Sequence, residues 1–193
     1  MSKKHIIDAM KYLYNKNYIS IRDGNISYKP KNEKYFYISA GGVKKNEMNE
    51  QQVIKILFNN NGDLDYYKKY KYLPSKEIFM HSILQTDNYY FDKNIFIVHA
   101  HPQNIISYMG IEKSKELDTI KNIFPELNVG NIGKNVKYQE AGSIELANEC
   151  YNKLKYNDII GLERHGTLSI GEDIDIIHEN IETLDYYINI IKK

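Results

Sequence analysis

Near the start of the chain, apolar positions follow a helical pattern that then gives way to short strand-like runs. Apolar side chains recur at helical spacing at Ile6, Ile7, Met10, Leu13 and Tyr14. This spacing predicts an amphipathic helix. Beyond the turn residues Asp23-Gly24-Asn25, the strand-like runs are 26–29, 35–39, 53–58 and 64–67. The last two flank the turn-rich loop 59–63, which predicts a β-hairpin.

The second part of the chain adds one buried strand pattern and several helical segments. Residues 94–100 form an apolar run that His101-Pro102 ends, which predicts a buried strand. Pro74-Ser75 predicts the start of a helix. The remaining predicted helices are 104–109, 116–123, 143–154 and 173–191, and the remaining predicted strands are 158–162 and 167–170. No repeat or linker divides them, so they predict one mixed α/β domain over residues 1–193, in which helices flank a sheet with several antiparallel pairs.

The charge balance and the cysteine count exclude several classes of protein. Lys plus Arg number 26 against 25 Asp plus Glu, which gives a net charge of +1. A nearly neutral chain lacks the basic surface that nucleic-acid binding requires. Cys150 is the only cysteine, so no intramolecular disulfide can form. No apolar stretch has the length of a membrane span, and no signal-peptide core follows Met1. We therefore expect a cytoplasmic protein without nucleic-acid or membrane partners.

The first chemical pattern is a pair of histidines, His99 and His101, at the end of the apolar run. Side chains two positions apart on a strand point to the same face, so both imidazoles can reach one ion. Zinc prefers nitrogen ligands, and a catalytic zinc site uses three protein ligands with one position open. An isolated pair of this kind is a weak signal. The alternative is a pair at a strand edge, with one histidine hydrogen-bonded and the other solvated.

His165 is the candidate for a third ligand, because it lies where one predicted strand ends and another begins. Gly166 lets the backbone turn tightly there or approach a ligand closely. An ordinary turn histidine fits the same pattern, so this residue alone leaves both interpretations open. The other histidines, His5, His81 and His178, fall within predicted helices, where we expect core or surface roles.

Glu77 lies in the predicted first turn of the helix that Pro74-Ser75 begins. An acidic residue near the positive end of a helix, with Ser75 as N-cap, stabilises the helix without any further role. The alternative is a carboxylate that the helix directs into a metal site, as a ligand or a general base. For Glu77 alone, the sequence favours the stabilising role.

Two glycine-containing turns are candidates for phosphate binding. Asp23-Gly24-Asn25 and Ser39-Ala40-Gly41-Gly42-Val43 could each expose backbone N–H groups to a phosphate, as could the helix start at Ser75. Neither turn matches a Walker or dinucleotide-binding motif. As plain turns they need no ligand.

Taken in order, these segments resemble the class II aldolase/adducin family. The resemblance is carried by Arg22-Asp23-Gly24-Asn25-Ile26-Ser27, Ile38-Ser39-Ala40-Gly41-Gly42-Val43, Leu73-Pro74-Ser75-Lys76-Glu77 followed by His81, Val98-His99-Ala100-His101-Pro102, and Arg164-His165-Gly166. The likeness runs from the first predicted helix to the last. Five motifs in the family's order and spacing are specific, although each motif alone is not. The resemblance implies the family's single-domain fold, with a largely antiparallel sheet flanked by helices.

The resemblance also implies where the site lies. The implied zinc ligands are His99, His101 and His165, which would bind one Zn²⁺ per chain. Glu77 would move the substrate proton and would be available as a fourth ligand. The implied phosphate-binding residues are Asn25, Gly41, Gly42, Ser75 and Lys76. Two of these depart from the family's pattern, since Gly41 stands where a Thr or Ser is usual and Lys76 where a small residue is usual. No tyrosine after Met109 could be matched to the family's acid.

The reaction that the resemblance implies is reversible aldol cleavage of a small phosphorylated ketose. The products would be dihydroxyacetone phosphate and a short aldehyde, formed through an enediolate. Dehydratases of the methylthioribulose-1-phosphate type, decarboxylases and epimerases share the scaffold, and Glu at position 77 disfavours the epimerase type. A non-catalytic adducin-like binding domain predicts loss of the metal ligands, and a structural zinc domain suits this ligand set less well. The resemblance further implies a homotetramer with sites between neighbouring chains.

Overall fold

A sheet of seven antiparallel strands forms the frame of the structure. The computed structural model describes residues 3–65, 71–110 and 115–191. The strands are β1 Asn25–Lys29, β2 Tyr35–Ser39, β3 Val53–Phe58, β4 Leu64–Asp65, β5 Ile95–Ala100, β6 Ile159–Leu162 and β7 Gly166–Gly171. Their order is β4-β3-β2-β1-β5-β7-β6, and every neighbouring pair is antiparallel. The predicted mixed α/β fold with a largely antiparallel sheet is confirmed.

Helices cover both faces of this sheet. Within the described residues they are α1 Lys3–Asn15, α2 Ile78–Gln85, α3 Gln103–Met109, α4 Ile120–Ile123, α5 Ile144–Leu154 and α6 Ile174–Ile191. Helices α1, α3 and α6 share one buried cluster, which includes Phe96 and Val98 of β5. Helices α2 and α5 share the other, which includes Ile97. Alternate side chains of β5 therefore pack against opposite helical layers, as the two-residue period of a strand requires.

Strand β5 is buried along its whole length because a helical layer covers each of its faces. It pairs with β1 on one side and β7 on the other, so His99 lies between Asn25 and Leu168. The apolar run that predicted a buried strand is confirmed, with β5 beginning at Ile95. The end of β5 that carries His99 therefore lies between the ends of β1 and β7.

The start of α2 differs from the prediction, because the helix begins at Ile78 rather than at Pro74-Ser75. Ser75 N donates to Ser39 O at 3.2 Å, which holds this segment beside the end of β2. Pro74 also forms an antiparallel bridge with Ala40, so the chain is still extended at this point. Glu77 consequently occupies the N-cap position instead of the first helical turn, which corrects the sequence prediction.

The ends of the other predicted elements shift by a few residues. The predicted helix 116–123 is instead a 3₁₀ turn at Leu117–Thr119 followed by the short α4. The predicted strand 64–67 is β4 over its first two residues, and its last two lie outside the described residues. No helix within 3–65, 71–110 or 115–191 combines the length and apolar composition needed to cross a bilayer.

Strand β1 has a polar face that is buried rather than exposed. Its sequence alternates polar and apolar side chains, a pattern typical of a strand with one face in water. All five residues are nevertheless buried, including Asn25, Ser27 and Lys29. Lys29 Nζ donates to three backbone carbonyl oxygens of the loop after α2, at 2.9–3.2 Å. These bonds satisfy a cation that water does not reach.

We expect the buried Lys29 to make the free energy of unfolding increase as the pH rises from about 8 to 10.5. Burial lowers the pKa of Lys29 from 10.5 to about 8. The unfolded chain therefore binds this proton more tightly, so the burial penalty is full below pH 8 and disappears towards pH 10.5. Relative to Lys29→Met, the wild-type free energy of unfolding should increase by about 2 kcal/mol between roughly pH 7 and pH 10. Urea unfolding of both proteins measures this difference, and a constant difference would contradict it.

Candidate active site

Three histidines converge at one end of the sheet, where β5 ends and β7 begins. His99 is on β5, His101 follows the strand, and His165 lies in the tight turn between β6 and β7. Ala100 pairs with Thr167 across the two strands, which brings this turn beside the end of β5. The structure therefore brings together the three residues that the sequence predicted as metal ligands.

The position of His165 depends on a close approach of two backbones. A β-carbon added at Gly166 would overlap the carbonyl oxygen of Ala100, so only glycine fits there. His165 N donates to Leu162 O at 3.0 Å and closes the turn. The ring of His165 consequently lies 4.6 Å from the ring of His99, centroid to centroid.

The ligand atoms of the three imidazoles lie within 4.8 Å of one another, and His99 Nε2 is 2.9 Å from His101 Nε2. His99 is fully buried, and its Nδ1 donates to Thr167 O at 2.9 Å. That bond leaves the lone pair of Nε2 facing the cluster. Burial first, and then the neighbouring histidines, lowers the pKa of His99 and of His101 to about 3. Both rings are therefore neutral at pH 7, the form that binds a metal ion.

Glu77 reaches the same cluster from the N-cap position of α2. Its Oε2 is 3.2 Å from His99 Nε2, and its Oε1 is 3.4 Å from His165 Nε2. Asn25 Nδ2 donates to Oε2 at 2.8 Å. Oε1 is buried and has no hydrogen-bond partner within the described ranges. The structure thus places the predicted catalytic carboxylate against the predicted metal ligands.

These four side chains fit a divalent cation that prefers nitrogen ligands. A buried carboxylate oxygen without a partner is unfavourable, because its lost hydration is not replaced. A cation held by His99, His101 and His165 would supply a partner for Oε1. Three imidazoles and one carboxylate also match the ligands that zinc takes in catalytic sites.

Four of the residues predicted to bind phosphate meet where the Gly41-Gly42 turn packs on the segment before α2. A β-carbon added at Gly41 would lie 3.4 Å from Ser75 Cα and 3.8 Å from Lys76 N. Gly42 has a φ of +69°, which favours glycine, and its carbonyl oxygen accepts a hydrogen bond from Arg22. Ser75 and Lys76 lead directly into Glu77, so this turn adjoins the histidine cluster.

Asn25 differs from the other predicted phosphate residues, because its side chain already contacts the protein at both ends. Nδ2 donates to Glu77, and Oδ1 is hydrogen-bonded to His81 Nε2. His81 is fully buried, with Nδ1 2.8 Å from Ser27 Oγ. The sequence assigned His81 only a core or surface role and so missed its connection to the site. The available signal was its spacing of four residues from Glu77, which places both on one helical face.

The other two histidines have the roles that the sequence predicted. His178 on α6 is buried, and its ring stacks on the ring of Tyr12 at a centroid distance of 4.2 Å. His5 is exposed on α1. Neither residue belongs to the cluster at the end of β5.

Two cavities differ in their relation to this site. A cavity of about 670 Å³ is bordered by His101 and Asp23, at the histidine end of the sheet. A larger cavity of about 1070 Å³ lies at the opposite ends of β5 and β7, near Ile95 and Gly171. The larger one contains none of the clustered side chains, so size does not identify the site in this fold.

Comparison with known proteins gives matches over most of the chain. Residues 4–191 match the family model described as Class II Aldolase and Adducin N-terminal domain. The L-fuculose phosphate aldolase of Methanococcus maripaludis (strain C7) is 29% identical over 186 residues, which is 93% of either chain.

Solved structures share the fold. An L-fuculose 1-phosphate aldolase is 20% identical with a TM-score of 0.75, over 98% of this chain and 84% of that one. YgbL of Klebsiella pneumoniae is 19% identical with a TM-score of 0.79, over 100% of this chain and 90% of that one. The description of YgbL names aldolase, epimerase and decarboxylase as candidate activities. The family model begins in α1 and ends in α6, and over that length it shows that this chain belongs to the class II aldolase and adducin family.

Proposed function

We propose that this protein is a zinc-dependent class II aldolase, a carbon–carbon lyase. It reversibly cleaves a small phosphorylated ketose of the L-fuculose-1-phosphate type to dihydroxyacetone phosphate and a short aldehyde. The observation that carries the proposal is the buried Oε1 of Glu77, which lies beside three histidines and has no hydrogen-bond partner among the described residues. Family membership and the relative named L-fuculose phosphate aldolase support the substrate class.

The metal centre of the proposal uses the three histidines. His99, His101 and His165 hold one Zn²⁺ per chain, and Glu77 is available as a fourth ligand. When bound, the ion supplies a Lewis acid that stabilises negative charge developing on substrate oxygens. The chain's own contribution is to keep the rings of His99 and His101 neutral through burial, and to orient His99 through its bond to Thr167.

Glu77 moves the proton at carbon. In the condensation direction it removes a proton from dihydroxyacetone phosphate, and in the cleavage direction it returns that proton to the enediolate. Asn25 holds Oε2, so the carboxylate presents Oε1 to the substrate side. Burial of Glu77 limits the water that would otherwise compete for this oxygen.

The substrate phosphate binds on the segments that adjoin Glu77. Gly41 and Gly42 provide a turn close to Ser75 and to the backbone of Lys76, whose side chain would add a cation to the site. Asn25 completes the set with the second hydrogen of its amide nitrogen, because only one of the two is used by Glu77. Backbone N–H groups and one lysine suit a phosphate without a further arginine.

Other reactions of the family use the same parts. A dehydratase of the methylthioribulose-1-phosphate type, a decarboxylase or an epimerase would also need negative charge on a substrate oxygen to be stabilised. The similarity to YgbL, for which epimerase and decarboxylase activities are named, makes these the second candidates. A non-catalytic adducin-like domain would not need three grouped histidines with a buried carboxylate beside them.

The functional form of the proposal is a homotetramer with sites between neighbouring chains. Three large apolar side chains are exposed near the site: Leu73, Phe79 and Ile144 are 68%, 45% and 59% exposed. Leu73 and Phe79 flank the segment that carries Glu77. Ile144 follows the loop in which Gly142 touches Lys76. Covering these side chains with another chain would bury them and bring a proton-donating group to the leaving aldehyde.

We expect the purified protein to carry about one zinc ion per chain. His99→Ala and His101→Ala should each abolish this content, because each removes one of three ligands, while thermal unfolding changes little. His5→Ala is the control, since His5 is an exposed histidine outside the cluster. Mass spectrometry of the metal content measures the result. Full zinc content in both site variants would contradict the assignment of His99 and His101 as zinc ligands.

We expect Glu77→Gln to keep zinc and fold while losing turnover by about 10²–10⁴-fold. Glutamine keeps the size and the bond from Asn25 but cannot take a proton. Deuterium exchange from solvent into dihydroxyacetone phosphate measures the step without the aldehyde. Glu145→Gln is the control, because Glu145 is an exposed carboxylate in the first turn of α5. Equal exchange by wild type and Glu77→Gln would leave Glu77 with only a structural role.

We expect Ile144→Asp to dissociate the tetramer and to lower activity. Aspartate in the first turn of α5 favours the helix itself, so loss of assembly would come from the contact surface. Ile176→Asp is the matched control, because Ile176 is 53% exposed near the start of α6 and borders the larger cavity at the opposite end. Light scattering measures the mass of both variants. A fully active wild-type monomer would overturn the assembly proposal.

A further inference from the structure

Behind Glu77 lies a row of buried polar side chains that the proposed reaction does not use. His81 and Gln85 follow Glu77 at intervals of four residues, so the three share one face of the helical segment. Asn25 and Ser27 share the face of β1 that packs against it. Asn25, Ser27, His81 and Gln85 form what we call the polar ladder, and each is at most 3% exposed.

The polar ladder is continuous from one end to the other. Gln85 Nε2 contacts Ser27 Oγ at 2.8 Å, and Ser27 Oγ contacts His81 Nδ1 at 2.8 Å. His81 Nε2 contacts Asn25 Oδ1, and Asn25 Nδ2 contacts Glu77 Oε2 at 2.8 Å. Four hydrogen bonds therefore join the interior of the α2–β1 contact to the proposed base.

The carboxylate at the Glu77 end of the polar ladder determines which group donates and which accepts in each of these hydrogen bonds. A carboxylate only accepts, so Asn25 must turn its nitrogen to Glu77 and its oxygen to His81. That oxygen also only accepts, so His81 must carry its hydrogen on Nε2. The ring of His81 is fully buried and its two nitrogens face neutral partners, Ser27 Oγ and Asn25 Oδ1, so the ring is neutral and has a single N–H. Nδ1 is then an acceptor and needs a hydrogen from Ser27.

The Gln85 end of the polar ladder independently requires the same order of donors and acceptors. Gln85 Nε2 donates to Ile95 O at 3.3 Å as well as to Ser27. A backbone carbonyl oxygen only accepts, so it holds the Gln85 amide with its nitrogen towards β1 and β5. Ser27 therefore accepts from Gln85 and keeps its own hydrogen for His81. Every bond points towards Glu77, and bonds aligned in this way strengthen one another.

We propose that His81 is a positioning residue, which Ser27 and Gln85 hold in the tautomer that fixes the Asn25 amide against Glu77. The proposal rests on the proposed role of Glu77 as base. With the amide fixed, Oε2 is always occupied and Oε1 is the oxygen left to exchange the proton. The ring of His81 contacts Ser27 and Asn25, so it acts on the Glu77 carboxylate through Asn25.

Loss of the Ser27 hydroxyl shows why the direction matters. Without a donor at Nδ1, the His81 ring can move its hydrogen to that nitrogen. Nε2 then becomes an acceptor, and the Asn25 amide rotates to donate to it. The oxygen of Asn25 would face Glu77 Oε2, and two acceptors at hydrogen-bond distance repel each other. The carboxylate would leave its position although no residue at the reacting atoms had changed.

Solid-state NMR of protein labelled with ¹⁵N-histidine tests the direction of the ladder. The signals of His81 are those that His81→Gln removes. We expect the wild type, as purified, to show a protonated Nε2 and an unprotonated Nδ1 at His81. Ser27→Ala should give a mixture of the two tautomers or the opposite one. Ser27→Thr keeps a hydroxyl on a strand that accepts β-branched residues, and it should restore the wild-type spectrum.

Kinetics with the same variants test the consequence for the reaction. We expect Ser27→Ala to lower kcat by about 10-fold with KM and zinc content unchanged, the lower limit for loss of an outer hydrogen-bonding partner. Ser27→Thr should recover most of kcat. Ser169→Ala is the matched control, because Ser169 on β7 is also buried and its Oγ has no hydrogen-bond partner among the described residues. It should leave kcat and the His81 spectrum at wild-type values.

The outcomes separate this inference from the proposed function. A hydrogen on Nδ1 of His81 in the wild type, or a Ser27→Ala spectrum identical to wild type, would overturn the ladder. An equal loss of kcat in Ser169→Ala would also overturn it, since packing alone would explain both variants. If the wild type turns over no phosphorylated ketose, the proposed function fails, while the tautomer of His81 still decides the direction of the ladder.

Discussion

Asn25 of β1 lies opposite His99 of β5, and this register determines which side chains can meet at the site. Successive residues of a strand face opposite sides of the sheet, so a slip of one residue would turn Asn25 and Ser27 towards α1. On the other side of β5, the pairing of Ala100 with Thr167 sets where the turn carrying His165 lies. Two antiparallel ladders thus bring together three candidate metal ligands that are far apart in sequence.

The site is a polar volume inside a core that is otherwise apolar. Buried polar groups destabilise a fold unless each finds a partner, and charged groups do so more strongly. The polar ladder meets most of this requirement, because each member bonds to the next and the ends bond to a backbone carbonyl and to Glu77, while Oε1 of Gln85 has no hydrogen-bond partner among the described residues. At the Glu77 end, Oε1 of Glu77 is buried without a hydrogen-bond partner among the described residues, and it is the atom that the proposed chemistry uses.

The parts of this arrangement that are local in sequence could be predicted, and the parts that depend on pairing could not. The apolar run before His99 indicated a buried strand, because that signal lies within a few residues. The turn at His165-Gly166 gave a candidate third ligand, and the family resemblance was needed to choose this role over an ordinary turn histidine. Burial of the polar face of β1 could not be predicted in this way, since alternation of polar and apolar residues is typical of a strand with one face in water. Its burial follows from α2, whose contact with β1 no local pattern reveals. The N-cap position of Glu77 was not predicted for the same reason, because Ser75 N bonds to Ser39 O, which is distant in sequence.

Two of the departures from the family's pattern, at Gly41 and Lys76, are neighbours in space, which changes how they are interpreted. A β-carbon at Gly41 would lie 3.8 Å from Lys76 N, so the missing hydroxyl at one position and the added cation at the other concern the same small region. A hydroxyl would give a phosphate one directed hydrogen bond, whereas a lysine gives a charge on a flexible stem. In the proposed phosphate site, the lysine would therefore restore attraction without restoring direction. Direction would then come from the fixed backbone of the Gly41-Gly42 turn, held by Arg22 through the carbonyl oxygen of Gly42.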